Sequence, residues 1–111
     1  MKWLILSSKS SRKIDWKEVE AILTKKEITE SIKILQGWRL KGTSIEKIFK
    51  FDSFEQAVNF INKVAYVASI ENHHPDILLW NINNVKITIT TFCTRALSRL
   101  DFILASKIDQ I

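Results

Sequence analysis

Two hydrophobic periods alternate along this chain, and each change of period falls at recognisable punctuation. Asp15 can cap a short helix over 15–22, with Trp16, Val19 and Ile22 on one face. Thr24-Lys25-Lys26-Glu27 reads as a capping box, since Thr24 can accept from the Glu27 backbone while Glu27 reaches back. Ile28, Ile32 and Leu35 follow at helical spacing and Gly37 ends the run, which predicts a helix near 25–35. Trp38–Leu40 and Ile45–Phe51 read as strands around a Lys41-Gly42-Thr43-Ser44 turn. The alternation of the second strand breaks at Lys47 and Ile48, which leaves its register open. Ser53 to Glu71 carries the strongest helical stripe, Phe54, Ala57, Val58, Ile61, Val64, Ala65 and Ala68, opened by Ser53 with Gln56. Pro75 cannot continue it and holds His74 extended. Leu78–Ile82 and Val85–Thr91 read as a second hairpin turning at Asn83-Asn84. Ser98, with Asp101 as acidic partner, caps a last helix whose apolar side is Phe102, Ala105 and Ile108.

The order helix, two strands, helix, two strands, helix predicts an α+β fold, an antiparallel sheet with helices on one face. If the opposite face is apolar, a second subunit is the usual cover.

Composition narrows the class. A chain of 111 residues with 46% hydrophobic content fits one domain with a real core. Two Gly and one Pro argue against disorder and repeat arrays. No apolar run approaches the roughly 18 residues of a membrane span. The single Cys93 excludes an internal disulfide and fits a reducing, cytoplasmic setting. The net charge of +5 is concentrated at the start, where Lys2, Lys9, Arg12 and Lys13 stand among serines with no acid before Asp15. The rest of the chain is nearly balanced, which argues against a nucleic-acid-binding surface on the domain. Residues 1–14 therefore read as a solvated basic extension, with an organellar transit peptide as the alternative. Trp3-Leu4-Ile5-Leu6 is too short for a secretory core of about 7–15 residues.

The candidate chemistry sits at His73-His74-Pro75. Histidine alone has an unperturbed pKa suited to both giving and taking a proton near neutral pH. A bland alternative is that both rings only meet a helix C-terminus and solvent. Glu71 or Asp76 would complete three metal ligands on paper, but neither zinc spacing nor a Cys pair is present. Cys93 as a nucleophile with a histidine base is outweighed by a buried inert thiol.

Five segments, in order, resemble the pterin-4a-carbinolamine dehydratases: Leu23-Thr24-x-x-Glu27-Ile28 to Leu35-x-Gly37-Trp38, Phe49-x-Phe51-x-x-Phe54-x-x-Ala57-x-x-Phe60, Asn72-His73-His74-Pro75-Asp76, Asn83-x-Val85 to Thr90-Thr91, and Leu97-Ser98-x-x-Asp101-x-x-Leu104-Ala105. The resemblance spans 23–111 and leaves 1–22 as an extension. It implies a four-stranded antiparallel sheet with three helices, in homodimers or homotetramers. It implies dehydration of a 4a-hydroxytetrahydropterin to quinonoid dihydropterin, a step of pterin recycling, without metal or cofactor. His73 would be the acid/base and His74 would orient the ring, with Asn72, Pro75, Thr90, Thr91 and Phe92 around it. The family's third histidine, after the last hairpin, is missing here: Phe92 takes its place, or Thr91 if the one extra residue between Pro75 and Val85 falls elsewhere, and Ser69 stands where the family usually has an acid. The alternative implied is an impaired relative that binds pterin or serves as a protein-interaction module.

Overall fold

A computed structural model describes residues 22–91 and 96–111, so residues 15–21 of the expected first helix, Phe92 and Cys93 lie outside the described residues, while Ile22 pairs with Ser98 in an isolated antiparallel bridge. The elements are α1 (Lys25–Ile34), β1 (Arg39–Lys41), β2 (Ser44–Lys50), α2 (Phe54–Glu71), β3 (Asp76–Trp80), β4 (Asn84–Ile89) and α3 (Arg99–Asp109). Their order is the one the periodicity predicts. The strands form one antiparallel sheet, β1-β2-β4-β3.

Local chemistry sets the boundaries. Both halves of the Thr24/Glu27 capping box form, at 3.2 and 3.0 Å. Ser53 opens α2 by accepting from the Gln56 N–H at 3.1 Å. Gly37 turns the chain out of α1 at a positive φ of 84°, where a Cβ would also meet the Lys47 side chain at 2.9 Å.

The core lies between one sheet face and the helices. Ile45, Val85, Ile87 and Ile89 point into it, against Ala57, Phe60 and Val64 of α2 and Phe102, Leu104, Ala105 and Ile108 of α3. The pairing Ile45↔Ile89, Lys47↔Ile87, Phe49↔Val85 settles the open register. Lys47 takes the core-side position, and Ile48 faces out, half-exposed. The lysine is tolerated because its ammonium does not stay in the core: it lies 4.9 Å from the Phe49 ring centre and bonds Asp109 and the Gln36 carbonyl, both at 2.9 Å.

The second hairpin departs from expectation by two residues. Strand β3 begins at Asp76 and the turn falls at Asn81–Asn83. Asn81 and Ile82 both adopt positive φ, and the Asn83 side chain donates to the Phe51 carbonyl at 2.7 Å. Asn84 belongs to β4 and is buried. Ile48, Leu78 and Trp80 lie on the outer face of the sheet, opposite the helices, with Glu46, Lys50 and Lys86.

Candidate functional site

The end of α2 decides where the histidines point. Asn72 takes the left-handed conformation, φ 51°, which an Asn side chain tolerates. The Asn72 N–H then donates to the Ser69 carbonyl and the His73 N–H to the Ala68 carbonyl, at 3.3 and 3.1 Å. These are the two bonds of a Schellman closure, and they fold the chain back across the helix end. Lys107 of α3 bonds Glu71 at 3.1 Å and ties this corner to the last helix. Pro75 follows, and β3 begins at the next residue.

That bend separates the two imidazoles. His73 turns inward with 11% of its side chain exposed, and its Nε2 lies 2.6 Å from Asp101 Oδ1. Asp101 is fully buried. Its Oδ2 accepts from the Ser98 backbone N–H at 2.8 Å and from the Thr91 hydroxyl at 2.9 Å. An ionised carboxylate only accepts, so His73 donates to it from Nε2. The Nδ1 of His73 is then left as the nitrogen able to take a proton. His74 is exposed, and Asn72 beside it is exposed as well.

The other expected residues are placed as follows. Pro75 is half-buried. The Thr90 hydroxyl donates to the Thr43 carbonyl at 2.7 Å, which fastens the end of β4 to the β1–β2 turn. Thr91 is 2% exposed and faces Asp101 and Ser98. Histidine, aspartate and threonine thus meet from three separate elements. Residue-by-residue reading missed Asp101 as a site residue because its capping role already accounted for it. Its sequence signal was that role itself: the acid that reaches back to Ser98 has a second oxygen to spare. Among the described residues no cluster of three His, Cys, Asp or Glu could hold a metal ion, and no helix is long and apolar enough to cross a membrane.

A small α+β domain that backs a helix-exit histidine with a buried carboxylate has the parts of an acid/base site. The chain belongs to the pterin-4a-carbinolamine dehydratase family: the family model described as Pterin 4 alpha carbinolamine dehydratase matches residues 21–111. A Sulfurisphaera tokodaii protein, provisionally named a pterin-4-alpha-carbinolamine dehydratase, is 46% identical over 89 residues, covering 80% of this chain and 95% of that one. The crystal structure of a transcriptional coactivator/pterin dehydratase from Brucella melitensis superposes with a TM-score of 0.75 at 31% identity, over 80% of this chain and 96% of that chain. A pterin dehydratase-like protein identified as a RuBisCO assembly factor in the alpha-carboxysome shares the fold, with a TM-score of 0.55 at 23% identity, over 66% of this chain and 83% of that chain.

Proposed function

We propose that this chain dehydrates a 4a-hydroxytetrahydropterin to the quinonoid dihydropterin, with His73 as the acid/base. The observation that supports this most is the 2.6 Å contact between His73 and the buried Asp101. The reaction removes one proton from a ring nitrogen, breaks the C4a–O bond and releases the hydroxyl, with a proton, as water. No electrons are gained or lost overall. A single imidazole can serve both ends, taking the ring proton on Nδ1 and returning it to the departing hydroxyl. Such help is typically worth about 10²–10⁴-fold. His74, Asn72, Pro75, Thr90 and Phe92 would border the ring. Assembly into homodimers or homotetramers fits the same reading, since Ile48, Leu78 and Trp80 stay exposed on the outer sheet face of one protomer.

The replacement of the family's third histidine by Phe92 favours a second reading, a relative that binds pterin or a partner protein without catalysis. Stopped-flow loss of the 4a-carbinolamine separates the two. Catalysis predicts a wild-type rate above buffer that falls by about 10²–10⁴-fold in His73→Ala. A wild-type rate equal to buffer, with dihydrobiopterin binding retained in calorimetry, would establish the binder instead.

A further inference from the structure

Thr90 and Thr91 are adjacent, yet their hydroxyls serve different parts of the fold. Thr90 binds the Thr43 carbonyl across the sheet, whereas Thr91 is buried behind His73. We propose that Thr91 is a positioning residue for His73, acting through Asp101 without touching the substrate. This rests on the dehydratase reading and departs from the ring contact that the family resemblance implies for Thr91.

Hydrogen-bond direction carries the argument. Thr91 spends its one hydroxyl hydrogen on Asp101 Oδ2, at 2.9 Å. The Ser98 hydroxyl, 2.7 Å from the Thr91 oxygen, must then donate to it. Ser98 to Thr91 to Asp101 is a buried chain polarised one way, each donor strengthened by the one behind it. Together with the Ser98 N–H at 2.8 Å it occupies Oδ2, fixes the carboxylate plane and leaves Oδ1 for His73. A carboxylate so held dictates that His73 donates from Nε2 and presents Nδ1 as a base. Second-layer groups of this kind set the ring orientation and tautomer of functional histidines. With 2% of its surface exposed, Thr91 has little left to offer a ring.

The test pairs imidazole ¹⁵N NMR with steady-state kinetics on the full chain. In wild type the neutral His73 ring should be the Nε2–H tautomer; a predominant Nδ1–H tautomer would overturn the proposal without any variant. Thr91→Val keeps the shape and removes the hydroxyl. With one of its two anchors gone, the carboxylate should turn away from His73 part of the time, which mixes the tautomers of the released ring and lowers kcat about tenfold, the worth of one hydrogen bond to a charged group, with KM within about twofold. Thr91→Ser should restore most of kcat and the tautomer. A raised KM at unchanged kcat would mean direct substrate contact and reject the proposal, as would a Thr91→Val protein with unaltered tautomer and kcat. If wild type shows no dehydratase activity but its tautomer responds as stated, the dehydratase reading fails and the positioning of His73 stands.

Discussion

Two aspartates on α3 hold their neighbours in similar ways and to different ends. Asp109, near the C-terminus of the helix, accepts from the Lys47 ammonium and the Trp38 indole, both at 2.9 Å. Its side chain is 24% exposed. Asp101, at the start of the helix, is fully buried and accepts from a backbone N–H, a hydroxyl and an imidazole. Neither lysine nor indole gives up its proton near neutral pH, so Asp109 is a pin between β2, Trp38 and α3. Imidazole does exchange its proton there, and burial removes the water that would weaken the pair. On the proposed reading the chemistry would come from the partner and the depth of the acid, since the two acids themselves are alike.

Asn at each position breaks the comparison most sharply. At 101 an amide has one accepting oxygen, and the Ser98 N–H must keep it, because an NH₂ turned that way would face another donor. The Asp101→Asn amide then points its NH₂ at His73, forcing Nε2 to accept and the proton onto Nδ1. We expect dehydratase activity to fall at least tenfold and stability by about 1–3 kcal/mol, the cost of disturbing a buried charged hydrogen-bond cluster. Asp109→Asn should leave kcat within about twofold. Urea midpoints and stopped-flow rates on both variants decide it; equal losses of activity would mean that α3 responds as a single unit and that depth is irrelevant.

Lys47→Met sharpens the other half. The aliphatic stem is preserved, while the bonds to Asp109 and Gln36 and the approach to the Phe49 ring are lost. A partly exposed pair of this kind is worth about 1 kcal/mol or less. The urea midpoint should fall by that amount at low salt and by less at high salt, with kcat unchanged. A stability loss that ignores salt would assign Lys47 a packing role only.

Lys47 also marks where the sequence stopped being legible. Capping boxes and the Val85/Ile87/Ile89 alternation are local signals, and they located α1, α2, α3 and β4 to within a residue or two. A lysine on a core-facing position makes sense only once Asp109, 62 residues away, is beside it. The β3 frame was misplaced because the turn uses Ile82 at φ 75°, a conformation that β-branched residues rarely adopt and no motif announces. His73 was singled out by its chemistry, but its partner Asp101 is 28 residues on and was already explained locally as a cap. Only the fold brings together α2's exit, the end of β4 and α3's first turn.

Glu46 tests a third combination: a buried acid whose cationic partners are exposed. Its side chain is 3% exposed, while those of Arg39 and Lys41, at 3.2 and 3.7 Å, are 68% and 67% exposed. Burial pushes its carboxyl up, but the Arg39 hydrogen bond and the charges of Arg39, Lys41 and Lys86 outweigh it and hold the pKa below the ordinary 4.5. A depressed folded-state pKa contributes stability that is fully present above 4.5 and is lost as pH falls through the folded value. Stability should therefore decline on acidification below about pH 4.5, and Glu46→Gln should decline less over that window. The difference should stay under about 1 kcal/mol, because solvent screens the two cations. Urea midpoints for both proteins at pH 7 and pH 3 measure it. Parallel declines would show that the charge of Glu46 adds nothing to stability in spite of its depth.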